Sequence, residues 1–369
     1  MEKAKIGGAQ LFSLMMLFEL GSALLVGLGM KAKQDAWLAI LLGWAGGLVL
    51  FFIYSSLFRL YPDLPLTAYL QKIIGKYPGW ILGLIYTLYF IYLASRVMRD
   101  FGELLVTSSY DQTPLFIINM LMMLTIAYVL HKGFEVFSRT AEIYLKVLLA
   151  LVAFGYLAVL ISGITHANNL LPILKEGWKP VLKTAFPLTL TFPFGEMISF
   201  TMLLPYLNRP KKVMKIGFLA LTASAFILSC TSLLNIAVLG ADIAGRSTFP
   251  LLTMIGKVNI GEFIQRLDVL AILTLIIGGF FKIGVFFYTA VIGAAQLFKI
   301  EQHGKLIFSI GMIVLLTSLQ IASNMPEHLE EGLKVVPMYL HLPLQVGIPL
   351  LLIIVALIRR KREKEKMSS

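Results

Sequence analysis

The sequence predicts an all-α integral membrane protein of about ten transmembrane helices, built as two five-helix halves of opposite orientation. Three observations carry this. First, 58% of the 369 residues are hydrophobic and 14% are charged, with a mean hydropathy of +0.83. A soluble chain is about 45–50% apolar and about 25% charged, so an ordinary water-soluble enzyme is excluded. Second, the apolar residues fall in long runs, and about 20 of them in a row suffice to cross a bilayer as a helix. Third, two of those runs, the first and the sixth, are interrupted at their centres by polar and small residues.

The runs cover 8–30, 36–58, 79–101, 114–131, 138–163, 184–207, 213–239, 267–297, 305–323 and 342–358. The whole of 1–369 reads as one transmembrane domain, with repeats at about 6–163 and 184–358 and a basic tail at 359–369. Residues 67–77 are amphipathic and predict a short helix at the membrane surface, and 249–264 predict another. The net charge of +12 is a matter of topology and does not mark a nucleic-acid partner. About 19 of the 32 Lys and Arg residues lie in alternate connections and the tail, against about 11 on the other side. Cytoplasmic loops collect such residues, so both termini are expected in the cytoplasm, as an even number of spans requires. The N-terminal run is longer than a signal-peptide core and carries Glu19, so it reads as a retained span. The single cysteine, Cys230, excludes a disulfide framework.

In span one, Glu19, Gly21 and Ser22 stand between apolar halves. In span six the centre is Phe192-Pro193-Phe194-Gly195-Glu196. Proline removes a backbone donor and glycine weakens a helix, so local unwinding is expected at both places. Irregular backbone at that depth must line a cavity or be buried in protein. Breaks at the same position in two halves point to an inverted-repeat transporter fold with a midplane site. A packing kink is the alternative for each break alone; a glutamate at both favours a shared cavity.

These breaks carry a resemblance. ELGSA in span one and FPFGE in span six resemble the B subunits of spore germinant receptors of the GerA type. RLDVLAILTLIIGGFFKIGVFFY in span eight and AEIYLKVLLA in span five resemble them too, and the likeness runs over the whole chain. The resemblance implies the amino acid–polyamine–organocation superfamily, a spore inner-membrane location, and sensing of a small germinant, an amino acid or a sugar. It also implies partners: a larger A-type membrane subunit and a C-type lipoprotein. No cofactor is expected.

Charge inside a span is costly and marks candidate functional residues. Lys146 lies in span five with Glu142 one turn earlier. In proton-coupled relatives a lysine at this place stands where sodium binds in others, so the resemblance implies proton coupling or gating by Lys146. The alternative is a Glu142–Lys146 packing pair. Lys282 follows Gly278 and Gly279 in span eight and can balance Glu19 or Glu196. Arg96 follows Tyr92 by one turn and either holds a carboxylate or snorkels and pairs with Asp100. Tyr89, Tyr92, Phe192, Phe194 and Phe286 are candidate pocket walls. The expected ligand site is therefore Glu19, Gly21, Ser22, Tyr92, Arg96, Phe192, Phe194, Gly195, Glu196 and Phe286, with Lys146, Lys282 and Glu142 for coupling. The histidines, His131, His166, His303, His328 and His341, fall in loops or at span ends, with no metal-ligand spacing or hydrolase motif around them. The expected function is germinant sensing by a receptor subunit. A proton-coupled amino acid permease using the same pocket is the alternative, and a ligand-free scaffold a third.

Overall fold

A computed structural model describes residues 5–259 and 267–368. Its chain runs as α1 (Gly8–Leu25), α2 (Ala36–Leu60), α3 (Leu66–Ile74), α4 (Lys76–Ser108), α5 (Leu115–His131), α6 (Phe134–Ile161) and α7 (Trp178–Thr184). After a broken stretch follow α8 (Val213–Leu239), α9 (Ala241–Arg246), α10 (Pro250–Ile255), α11 (Asp268–Leu297), α12 (Gly304–Gln320), α13 (Met325–Glu330) and α14 (Ile348–Ser368). Seven of the described helices are long and apolar enough to cross a membrane on their own. The other three expected spans take different forms. α5 is a 17-residue apolar helix, α12 is bent by 108° against the segment Met325–Val335, and span six is not one helix. The chain is a multi-pass membrane protein.

α1 is the axial helix, packed between α6, α8 and α11, and its residues from Ser13 to Leu25 are buried throughout. The expected unwinding at Glu19, Gly21 and Ser22 does not occur: α1 is continuous to Leu25, and the chain turns only at Val26–Gly29. The reason is packing. A Cβ on Gly21 would lie 3.0 Å from the Gly278 carbonyl and from Lys282, and one on Gly278 would lie 2.8 Å from the Gly21 backbone. The two glycines let α1 and α11 cross at close range, a use of small residues common between membrane helices.

Span six breaks at Pro193 and Gly195, as expected, and also one turn and more earlier, around Pro187, which the sequence reading does not anticipate. A π-helical turn, Ala185–Thr189, holds Phe186 at φ −119°, ψ 121°, and a tighter 3₁₀ helix runs from Phe194 to Met202. Glycines of α2 receive this stretch: Gly43 packs on Thr189, Gly46 on Leu190 and Gly47 on Phe194, each too close for a side chain. Thr189 Oγ1 donates to the Ala39 carbonyl at 2.6 Å, covering one backbone acceptor at the contact.

The tenth span is irregular as well, which the sequence reading missed. Glu331–Val335 and Pro337–Gly347 are π-helical before α14 begins. Of the short amphipathic helix expected at 67–77, α3 forms Leu66–Ile74 and ends at Gly75, burying Leu66, Tyr69, Leu70 and Ile73 on one face. Of the stretch 249–264, α10 is helical, and residues 260–264 lie outside the described residues.

Candidate functional site

Lys282 projects from α11 toward the broken stretch of span six. Its ammonium lies 2.6 Å from Glu196 Oε2, and both side chains are at most 3% exposed. The rings of Phe192 and Phe18 lie 4.7 and 4.9 Å from the same ammonium, adding cation–π attraction on two sides. Glu196 is placed by the 3₁₀ start, where its N–H donates to the Pro193 carbonyl at 3.0 Å. Glu19, fully buried one helix away, feels both Lys282 and Glu196 electrostatically. Neither of its carboxylate oxygens has a hydrogen-bond partner among the described residues. Two carboxylates thus share one ammonium, and one of the two is unanswered.

Beside this cluster lies a cavity of ≈ 50 Å³, lined by Ser22 of α1, Val26 just past its end, Arg96 and Asp100 of α4, Phe192, Glu196 and His341. It has room for a few waters and is too small for a free amino acid. Its cover is the segment Met325–Val335, which contributes Leu329, Gly332 and Leu333. Arg96 holds that cover. Its guanidinium donates to the His328 carbonyl, to Tyr92 at 3.2 Å, and pairs with Glu331 at 3.4 Å. Tyr92 donates in turn to Glu331 at 3.2 Å, and His328 Nε2 meets Asp100 Oδ1 at 2.9 Å. Gly332 lies flat on the Arg96 guanidinium, where a Cβ would collide with it.

Around the cavity, the irregular backbone of spans six and ten is tied by tyrosines. Tyr54 donates to the Gln345 carbonyl at 2.6 Å and lies 3.2 Å from the Gly195 carbonyl. Tyr86 donates to the Leu344 carbonyl at 2.6 Å. Tyr89 meets His341 Nδ1 at 2.6 Å and accepts from Gln345 Nε2 at 2.8 Å. Carbonyls freed by the breaks are thus satisfied inside the protein, as burial away from water demands.

Of the expected site residues, Ser22, Arg96, Phe192 and Glu196 line the cavity, and Glu19, Lys282 and Tyr92 adjoin it through the contacts above. Gly21, Phe194, Gly195 and Phe286 do not line it. Gly21 and Gly195 serve close packing, against α11 and against Gln345. Phe194 seats on Gly47, and Phe286 packs edge-on against Phe18 with centroids 4.9 Å apart. Arg96 neither snorkels nor pairs with Asp100; it is 7% exposed, and Glu331 takes the place expected for Asp100. Lys146 is outside the site. It is exposed on the outer face of α6 among Ile143, Tyr144 and Val147, and among the described residues it makes no ion pair with Glu142. An expected place in the interior gives way to one on the outer surface, because Ala141, Leu145 and Leu148 occupy the inward stripe of α6. His328 and His341, assigned to loops or span ends from the sequence, are both buried at the site. A readable signal for His341 exists in Pro337, Pro343 and Gly347 around it, the same kind of interruption as in span six.

The fold is that of inverted-repeat transporters. MhsT in complex with L-phenylalanine superposes with a TM-score of 0.68, covering 95% of this chain and 87% of that one at 14% identity. Mhp1, a nucleobase-cation-symport-1 family transporter in a closed conformation with bromovinylhydantoin bound, gives 0.70 over 88% and 74% at 11% identity. In sequence, Spore germination protein KB of Bacillus subtilis (strain 168) is 44% identical over 367 residues, 99% of this chain and 98% of that protein. Spore germination protein A2 of the same strain is 26% identical over 292 residues, 77% of each. With the family model described as "Spore germination protein" matching residues 5–326, the chain belongs to the spore germination protein family.

Proposed function

We propose that this chain is the germinant-sensing B-type subunit of a spore germination receptor, and that it binds a small amino acid at the cavity under Met325–Val335, which widens to admit the ligand as that cover lifts. The observation that carries this is the charge arrangement. Glu19 is buried with no hydrogen-bond partner among the described residues, and Arg96 is held by a carboxylate of the cover. An amino acid brings the two complementary groups: an ammonium for Glu19 and a carboxylate for the planar fork of Arg96. The ligand carboxylate replaces Glu331, the cover lifts, and the change passes to partner subunits. A ligand acts in this way only through its differential affinity for the two conformations.

The rest of the reading follows the family. The subunit sits in the spore inner membrane with both termini in the cytoplasm, beside an A-type membrane subunit and a C-type lipoprotein. Its two repeats run over about 6–163 and 184–358. The fold of the transporter neighbours supports a second reading, a proton-coupled amino acid permease with the same pocket. The test is a germination screen against single amino acids and sugars, with the gene deleted, restored, and restored as Glu19→Gln. The expected result is loss of response to one nutrient class on deletion, and a raised threshold for that class with Glu19→Gln. An unchanged threshold in Glu19→Gln at normal protein level refutes the site. Uptake of the labelled nutrient by vesicles holding this chain alone refutes a purely sensory role.

A further inference from the structure

On the other side of the cover lies a second cavity of ≈ 310 Å³, whose charges the central site does not use. Val26, Leu329 and Leu333 line both cavities, so three apolar side chains separate them. The second cavity is bordered by Lys31, Arg246 and Lys334, with Glu330 as its acidic member. Glu330 is already taken by Lys334 at 2.5 Å. Lys31 reaches only the Leu333 carbonyl, at 3.3 Å, and Arg246 donates through Nε to the Asp242 carbonyl at 3.2 Å. No carboxylate answers either cation in an ion pair among the described residues. Partial shielding of the amine from water on an otherwise exposed side chain, and then the nearby Lys334 ammonium, hold the Lys31 amine below the usual lysine range. An anion beside Lys31 relieves both causes.

We propose that this vestibule is a capture site for the carboxylate of a small solute, in series with the central cavity, with Lys31 and Arg246 as its charged contacts. The vestibule gathers anionic oxygens from solution, and the solute passes between Val26, Leu329 and Leu333 when the cover lifts. A cleft lined by one sign of charge raises the local concentration of the opposite sign, and salt weakens the effect. The central destination rests on the proposed germinant site; the vestibule site itself does not.

The test uses the full chain in nanodiscs of zwitterionic phosphatidylcholine, with succinate as probe and saturation-transfer NMR as readout. Wild type is expected to bind succinate saturably, and added sodium chloride is expected to weaken that binding. The double variant Lys31→Gln/Arg246→Gln, both exposed side chains, is expected to weaken it by at least about fivefold. Glu19→Gln, which alters only the central cluster, is expected to leave it intact. No saturable binding in wild type, or undiminished binding in the double variant, overturns the proposal. Altered affinity in Glu19→Gln, most simply a gain because a neighbouring negative charge is gone, with retention in the double variant also overturns it, because the anion is then in the central cavity. Complete displacement of succinate by phosphatidylglycerol in the disc assigns the cations to a lipid headgroup and overturns it too. If the vestibule arm succeeds while Glu19→Gln leaves germination thresholds unchanged, the central site fails and the capture site stands.

Discussion

Replacing Lys282 with methionine removes the cation that pairs with Glu196 and acts on Glu19. At 2.6 Å from Glu196 Oε2, the ammonium contributes about 6 kcal/mol of attraction at an effective dielectric of about 20. Most of that offsets the cost of taking both ions out of water, so the pair itself adds little net stability. Breaking it is a different matter. Removing one partner of a buried pair costs about 3–5 kcal/mol, and here Glu19 loses its neighbouring cation in the same step. The expected order of stability follows. Lys282→Met and Glu196→Gln each destabilise, and the double variant recovers much of the loss because neither ion is left alone. Adding Glu19→Gln to the double variant recovers more, since the last unanswered carboxylate then goes. The assay is unfolding of the purified chain in mild detergent, read as a double-mutant cycle across all four combinations of the pair. A coupling near zero, with the two single losses simply adding, refutes the reasoning. So does a Lys282→Met variant as stable as wild type.

Glu331→Gln removes the ion pair between Arg96 and the cover and leaves the bond to the His328 carbonyl, and the half-maximal nutrient concentration for germination is expected to fall about fivefold, the value of roughly 1 kcal/mol for a partly exposed pair. A rise instead means that Glu331 touches the ligand itself. Gly332→Ala drives a methyl group into the Arg96 guanidinium, so the cover is expected to open more readily, read as faster protease cleavage within 325–335. Gly245→Ala, where nothing lies within 4 Å, is the control and should leave cleavage unchanged. Lys146→Ala is expected to change stability by less than about 0.5 kcal/mol, the usual range for a surface substitution, and to leave germination thresholds alone. A lost response at normal protein level returns Lys146 to a coupling role.

The expected spans and the break in span six were legible because each rests on local chemistry. Apolar runs near 20 residues and a proline with a glycine at the centre of a run mean the same thing in most surroundings. Lys282 and Glu196 were legible as scarce charges at membrane depth, and the structure joins them. What local chemistry could not supply was direction. Glycine in a membrane helix serves either unwinding or close crossing, and only the partner helix decides; Gly278 opposite Gly21 decides for crossing. Lys146 and Lys282 look alike in sequence, each a lysine within an apolar run. One faces outward and the other lies at 0% exposure, because α6 and α11 bury different stripes. The cover was illegible for a third reason. Its contacts to Arg96 and Asp100 span more than 200 residues, and nothing local to His328 or Glu331 points to them.

The cover and the N-terminal end of the chain are held by different kinds of contact, and the difference bears on sensing against transport. The cover end is held by charged and polar groups, Arg96 with Glu331 and His328 with Asp100. A ligand carrying its own carboxylate can replace such a contact one for one. The N-terminal end of the described chain, before α1 and away from the cavity lining, is held by backbone. Ile6 donates to the Tyr206 carbonyl at 2.9 Å, Asn208 donates to the Ile6 carbonyl at 3.0 Å, and Lys5 reaches the Pro205 carbonyl at 3.4 Å. Ile6 and Leu207 are buried beside that bridge. A small solute at the centre offers nothing that substitutes for these bonds, so its binding has no differential affinity with which to open that end. Carriage through the chain then needs a second input that peels the N-terminal segment from the strand-like stretch at Leu207. Sensing needs only the cover. Cross-linking Ile6→Cys to Leu207→Cys in a chain with Cys230→Ala is therefore expected to leave the germination response intact; a response abolished by the cross-link and restored by reduction makes opening at the N-terminal end part of the signal.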